Sequence, residues 1–190
     1  MKDSTTKADD AQFIQDLRRR DPGAVTELYN TYADRIYSLV FNQVGRNHEV
    51  AQDIVQEAFV AALKSAPKFR GQSKVYTWLC SIVNKKVSDF YRRQKRQAKY
   101  QTTEPLEDDR IGSDALAPDA VESEEKQEAT EQALFSLPLH YRQALILKYV
   151  EEMSVLEIGK IMKRSPKSIE GLLTRARKEM QAKLATSSEG

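Results

Sequence analysis

One cysteine, Cys80, and two histidines, His48 and His140, are all the thiol and imidazole that the 190 residues supply. An internal disulfide is therefore excluded, and a Cys/His zinc site or an iron–sulfur cluster lacks ligands, so neither metal nor cofactor is expected. Glycine is sparse at seven, and none of it gathers into a loop able to cradle phosphates. No nucleophile–base pair stands out either, and the chain does not read as an enzyme. No stretch approaches the roughly 20 apolar residues of a membrane span. The segment from Met1 to Arg20 is polar and charged, with no basic-then-apolar leader, so no membrane insertion and a cytoplasmic location are expected. Net charge is only +2. That balance excludes neither nucleic acid nor protein partners, because the sorting of charge along the chain matters more than its sum.

What is present is helical periodicity. Val25, Leu28, Tyr29, Tyr32, Ile36, Leu39 and Val40 recur at spacings of three and four and define one amphipathic helix. A second is expected from about Asn47 to Ser65, closed by Pro67, with Ile54, Val55, Ala58, Phe59, Ala62 and Leu63 on its apolar face. Val75, Trp78, Leu79, Ile82, Val83, Val87 and Phe90 mark a third, reaching Arg93 or beyond. Three such helices can share a core, so residues 10–97 read as one helical domain. Composition then shifts: Glu104 to Glu131 holds eleven acidic and two basic residues, and 98–127 reads as a flexible acidic linker. At about 3.3–3.6 Å per residue it reaches at most about 100 Å. Periodicity returns over 128–186 as a second helical domain. The fold class is all-α, two small domains joined by a linker.

The second domain carries a helix-turn-helix spacing. Ser154 and Glu157 form a capping box before Val155, Ile158, Ile161 and Met162. Lys163 and Arg164 make a turn. Ser165 and Pro166 then start another helix with the stripe Ile169, Leu172, Leu173, Ala176, Met180 and Leu184. Outside that stripe lie Lys167, Ser168, Glu170, Gly171, Thr174, Arg175 and Lys178, the mixture of cations and short polar groups that a helix in the major groove needs. A solvated basic face on a plain bundle has the same composition.

Seven basic residues, Lys85, Lys86, Arg92, Arg93, Lys95, Arg96 and Lys99, face one acid, Asp89, in the last part of the third helix. Such a patch favours phosphate. Phe69, Tyr76 and Trp78 lie on or beside the loop containing Gly71. Aromatics beside cations suit stacking on unpaired bases. Exposure is expected for Phe69 and Tyr76, whereas the spacing of Trp78 from Leu79 and Ile82 puts part of its ring in the core.

Together these residues resemble the extracytoplasmic-function (ECF) group of bacterial RNA polymerase sigma factors over nearly the whole chain. Asp53-Ile54-Val55-Gln56-Glu57-Ala58-Phe59 is similar to the family helix that binds the beta-prime clamp helices of core polymerase, which implies Asp53, Gln56, Glu57, Phe59 and Leu63 as docking residues. Phe69-Arg70-Gly71 and Thr77-Trp78-Leu79 resemble the segment that recognises and melts the minus-10 element. The resemblance implies Phe69, Lys74, Tyr76, Trp78, Asn84, Lys85, Arg92 and Arg93 there. Leu137-Pro138, Tyr141-Arg142, the helix-turn-helix and Arg175-Ala176-Arg177 are similar to the module that reads the minus-35 element. Ser165, Lys167, Ser168, Glu170, Gly171, Thr174, Arg175, Arg177 and Lys178 are its implied contacts. The expected partners are core polymerase, through beta-prime clamp and beta flap, and promoter DNA. Two departures stand out. Val50-Ala51-Gln52-Asp53 keeps only one acid where the family is acidic, which leaves room for an activating modification or partner that supplies negative charge, and the resemblance separately implies an anti-sigma factor. Gly159 replaces the usual alanine, at an expected cost of about 1 kcal/mol.

Overall fold

A computed structural model of the chain describes residues 7–101 and 122–187, and all regular structure among them is helical. Most of the linker expected over 98–127 lies outside the described residues. Eight α-helices follow one another among the described residues: α1 (Lys7–Arg19), α2 (Pro22–Gln43), α3 (His48–Ser65), α4 (Val75–Gln101), α5 (Glu122–Phe135), α6 (Leu139–Leu145), α7 (Val155–Met162) and α8 (Pro166–Ser187). A short 3₁₀ turn, Ala66–Lys68, follows α3, and α6 widens into a π-turn over Ile146–Val150. The helices gather into two compact units. One holds residues up to Val87 with Lys160–Met162, the other Ser88–Gly159 with Lys163 onward, so the division falls inside α4.

In the first unit, local chemistry fixes where each helix starts. Asp21 accepts from the Ala24 amide at 3.1 Å and Pro22 opens α2. Asn47 accepts from the Val50 amide at 3.0 Å to cap α3. Each cap satisfies an amide that the helix itself leaves without a partner. Gly45 and Arg46, at φ 72° and 57°, reverse the chain between α2 and α3. Leu28, Ile36, Leu39 and Val40 of α2, Ile54, Ala58 and Ala62 of α3, and Leu79, Val83 and Val87 of α4 form the core. Helix α1 has no counterpart in the sequence reading. Phe13, Ile14 and Leu17 are too few to declare a face, yet Leu17 is fully buried and α1 packs against the 3₁₀ turn.

In the second unit, α8 packs on α5 and α6. Ile146, Leu147, Ile158, Ile169, Leu172 and Ala176 are buried at its centre. The capping box at α7 is present: Ser154 Oγ accepts from the Glu157 amide at 3.3 Å, and Glu157 Oε2 accepts from the Ser154 amide at 3.0 Å. Arg142 is buried. Its Nη2 donates to the Phe135 carbonyl at 3.0 Å, at the end of α5, and its Nη1 to Tyr91 Oη at 3.1 Å. The guanidinium also lies 4.7 Å from the Phe135 ring centre. Burial pushes its pKa below the ordinary arginine value and interaction with Tyr91 opposes the shift, yet an arginine stays charged. A cation at that carbonyl complements the negative end of the α5 dipole.

Candidate nucleic-acid and polymerase interfaces

Helix α3 presents Asp53 and Gln56 to solvent, with Val60 at 47% exposure one turn further on. Phe59, given a docking role by resemblance, is buried at 8%, its ring 5.1 Å from that of Tyr29, which is 54% exposed. The apolar part of this face is therefore Tyr29 and Val60 as well as the half-buried Leu63. Sequence reading missed Tyr29 and Val60, because Tyr29 fits the core period of α2 and Val60 lies off the α3 stripe. Glu57 is paired with Lys86 at 2.9 Å. With side-chain exposures of 28% for Lys86 and 43% for Glu57, this pair contributes little to stability. It does tie α3 to α4 one residue from Gln56.

The loop before α4 turns at Gly71, where φ is +68° and a Cβ would come within 3.3 Å of Ile14 Cδ1 of α1. Glycine is favoured there by its positive φ, which side chains rarely adopt. The loop rims an open cavity of about 270 Å³ lined by Ser65, Lys68, Phe69, Arg70, Gln72, Ser73 and Trp78. Phe69 and Trp78 stack, centroids 4.6 Å apart and 18° between planes. Here the structure corrects the exposure expected for Phe69 and Tyr76 and leaves Trp78, as its spacing implies, with part of its ring in the core. Phe69 at 7% and Tyr76 at 9% are buried, while Trp78 is half-exposed. Tyr76 is covered because it stacks on Tyr32 and lies 3.9 Å under the Arg35 guanidinium. Phe69 is covered by the indole that it supports. Asn84 is also buried, at 9%, which leaves little of it for a ligand. Lys74, Lys85, Arg92 and Arg93 are exposed, Arg92 pairing with Asp89 on the same helix.

Helix α8 keeps Ser165, Lys167, Glu170, Thr174, Arg175, Arg177 and Lys178 exposed, with Ser168 and Gly171 half-exposed. All nine sequence-proposed residues thus lie on its outer side or at its start. Ser165 Oγ accepts from the Ser168 amide at 3.3 Å. Three residues, Lys163–Ser165, join α7 to α8, with Lys163 left-handed at φ 54°. Arg164 donates its amide to the Gly159 carbonyl at 2.9 Å. A Cβ on Gly159 would stand 2.8 Å from the Arg164 carbonyl oxygen. The expectation that Gly159 merely weakens α7 is therefore corrected: the turn closes onto its bare Cα.

Residues 28–97 match the family described as Sigma-70 region 2, and residues 127–180 the family Sigma-70, region 4. The chain is 32% identical over 177 residues to the ECF RNA polymerase sigma factor SigW of Bacillus subtilis (strain 168), covering 90% of this chain and 94% of that protein. Against the ECF RNA polymerase sigma factor SigM of the same organism it is 30% identical over 162 residues, covering 83% and 93%. Among solved structures, CnrH in complex with the cytosolic domain of CnrY superposes with a TM-score of 0.65 at 20% identity, covering 93% of this chain and 97% of that one. The sigma factor RpoE bound to the anti-sigma factor NepR from Bartonella quintana gives 0.65 at 19%, covering 84% and 96%.

Proposed function

The chain belongs to the ECF RNA polymerase sigma factors and serves transcription initiation through its regions 2 and 4, and from that premise we propose that it reads a minus-35 element with α8 and opens a minus-10 element at the Phe69–Trp78 cavity. The observation that carries this reading is the presence, in one chain, of an aromatic-walled cavity and a separate polar helix face. A duplex-only regulator has use for the second and none for the first. Phosphate contacts set position, base edges in the groove set sequence, and capture of unpaired bases offsets the cost of melting. Phosphodiester chemistry belongs to the polymerase, and this chain contributes binding free energy.

On the same reading, Asp53, Gln56, Tyr29, Val60 and Leu63 dock on the beta-prime clamp helices, a polar patch with apolar flanks suiting such an interface. Tyr149, Val150 and Leu156, each more than half exposed, are the apolar surface offered to the beta flap. The anti-sigma complexes among the structural neighbours support an anti-sigma partner for this chain too. Among the described residues no helix is long and apolar enough to cross a membrane.

Transcription by purified core polymerase on fragmented bacterial DNA, with and without the protein, tests the reading. New start sites sharing two upstream elements are expected. Salt-sensitive duplex binding without association with core polymerase overturns it. A second measurement addresses α8 alone. Replacing Lys167, Arg175 and Lys178 together by alanine is expected to flatten the salt dependence of duplex binding by about 0.9 in log–log slope for each phosphate that the helix no longer neutralises. An unchanged slope would mean that DNA binds elsewhere.

A further inference from the structure

Resting on the reading of α8 as the minus-35 reader, we propose that Gly159 is a positioning residue that selects which base pairs α8 reads, through the width of the turn between α7 and α8. It touches no DNA in this proposal. Three observations converge on it. Gly159 is buried in the second turn of α7, and its carbonyl accepts the Arg164 amide at 2.9 Å. The Arg164 carbonyl oxygen stands 2.8 Å from where a Cβ would be, closer than a real Cβ tolerates, and the opposing atom is backbone and cannot rotate away as a side chain can. Arg164 is followed at once by Ser165, the residue whose hydroxyl caps α8, so any displacement of that carbonyl is handed to the first turn of the reading helix. Ile169, fully buried on α8, lies 4.0 Å from the same point, in ordinary van der Waals contact.

Adding one methyl at 159 thus has two opposed consequences. Alanine favours the helical state of α7 over glycine. The turn must widen to admit it, and α8 moves with the turn. The groove contacts of Lys167, Ser168 and Arg175 depend on placement at hydrogen-bond tolerance, a few tenths of an ångström, so the preference for bases changes before the fold does.

The test is Gly159→Ala in the full-length protein. It combines a melting curve, the affinity for the wild-type minus-35 duplex and for scrambled duplex of equal length, and selection of bound sequences from a random pool. Expected is a melting temperature near that of the wild type, unchanged affinity for scrambled duplex, about a tenfold loss on the wild-type element, and a changed selected sequence. A merely structural role predicts the opposite pattern: lower melting, a parallel loss on both duplexes and the same selected sequence. That result overturns the proposal, as does unaltered binding. If Gly159→Ala alone melts early, Gly159→Ala with Lys163→Gly carries the comparison, since glycine at the left-handed position lets the Arg164 carbonyl swing aside. A wild-type protein that selects no sequence at all sinks the α8 reading itself, a result distinct from wild type and variant selecting the same one.

Discussion

Trp78→Ala is expected to lower transcription from a closed duplex promoter by roughly 5- to 150-fold while largely sparing a template whose minus-10 region is already unpaired. The range follows from stacking of a base on an aromatic ring, about 1–3 kcal/mol, with 1.4 kcal/mol per factor of ten. Trp78 is the residue to change because it is half-exposed over the cavity while Phe69, stacked beneath it, is buried. Phe69→Ala would instead remove a core ring and several kcal/mol of packing with it. On a pre-opened template the cost of melting has been removed, so the contribution of the indole to opening no longer limits the rate. Trp78→Phe retains a stacking face and is expected to keep most activity. Equal losses on closed and open templates would mean that Trp78 serves docking or folding and not melting.

Leu172→Ala is expected to bring the second unit close to unfolding. Leu172 is 1% exposed and sits with Ile158 and Ile169 in the core of that unit. Truncating a fully buried leucine costs about 2–5 kcal/mol, the upper end where the site cannot collapse. A domain of this size has only about 5–15 kcal/mol in total. At roughly 4–8 °C per kcal/mol, calorimetry should show the transition of the second unit falling by at least about 8 °C. Binding to duplex should fall with it. Thr174→Ala on the outer side of the same helix should stay within about 0.5 kcal/mol of wild type. A Leu172→Ala protein that melts like its parent would refute the packing of α8 described above.

Periodicity made most of this fold legible. The runs in α2, α3 and α4 and the Ser154/Glu157 and Ser165/Pro166 starts located helices to within a few residues, because caps and apolar spacing are local properties. What escaped depended on tertiary partners. Helix α1 offers only Phe13, Ile14 and Leu17, and its value lies in supporting the 3₁₀ turn and the Gly71 loop. Phe69 and Tyr76 looked exposed because they flank a loop. Their burial is set by Trp78, Tyr32 and Arg35, which no local pattern links to them. Tyr29 and Val60 were hidden in the opposite sense, apolar residues that the packing leaves outside. The meaning of Gly159 changed altogether. Helix propensity sees a weak residue, whereas the distance to the Arg164 carbonyl shows one onto which the turn closes.

The single thiol of the chain, Cys80, is fully buried within α4. In the native protein it should be silent toward thiol reagents, so its modification rate is a clock for opening of the first unit. The same silence makes site-specific labelling simple. A cysteine placed at exposed Gln56 or Lys167 would carry the one reactive handle on the molecule. A dye there would report polymerase docking or promoter engagement without first engineering the native cysteine away.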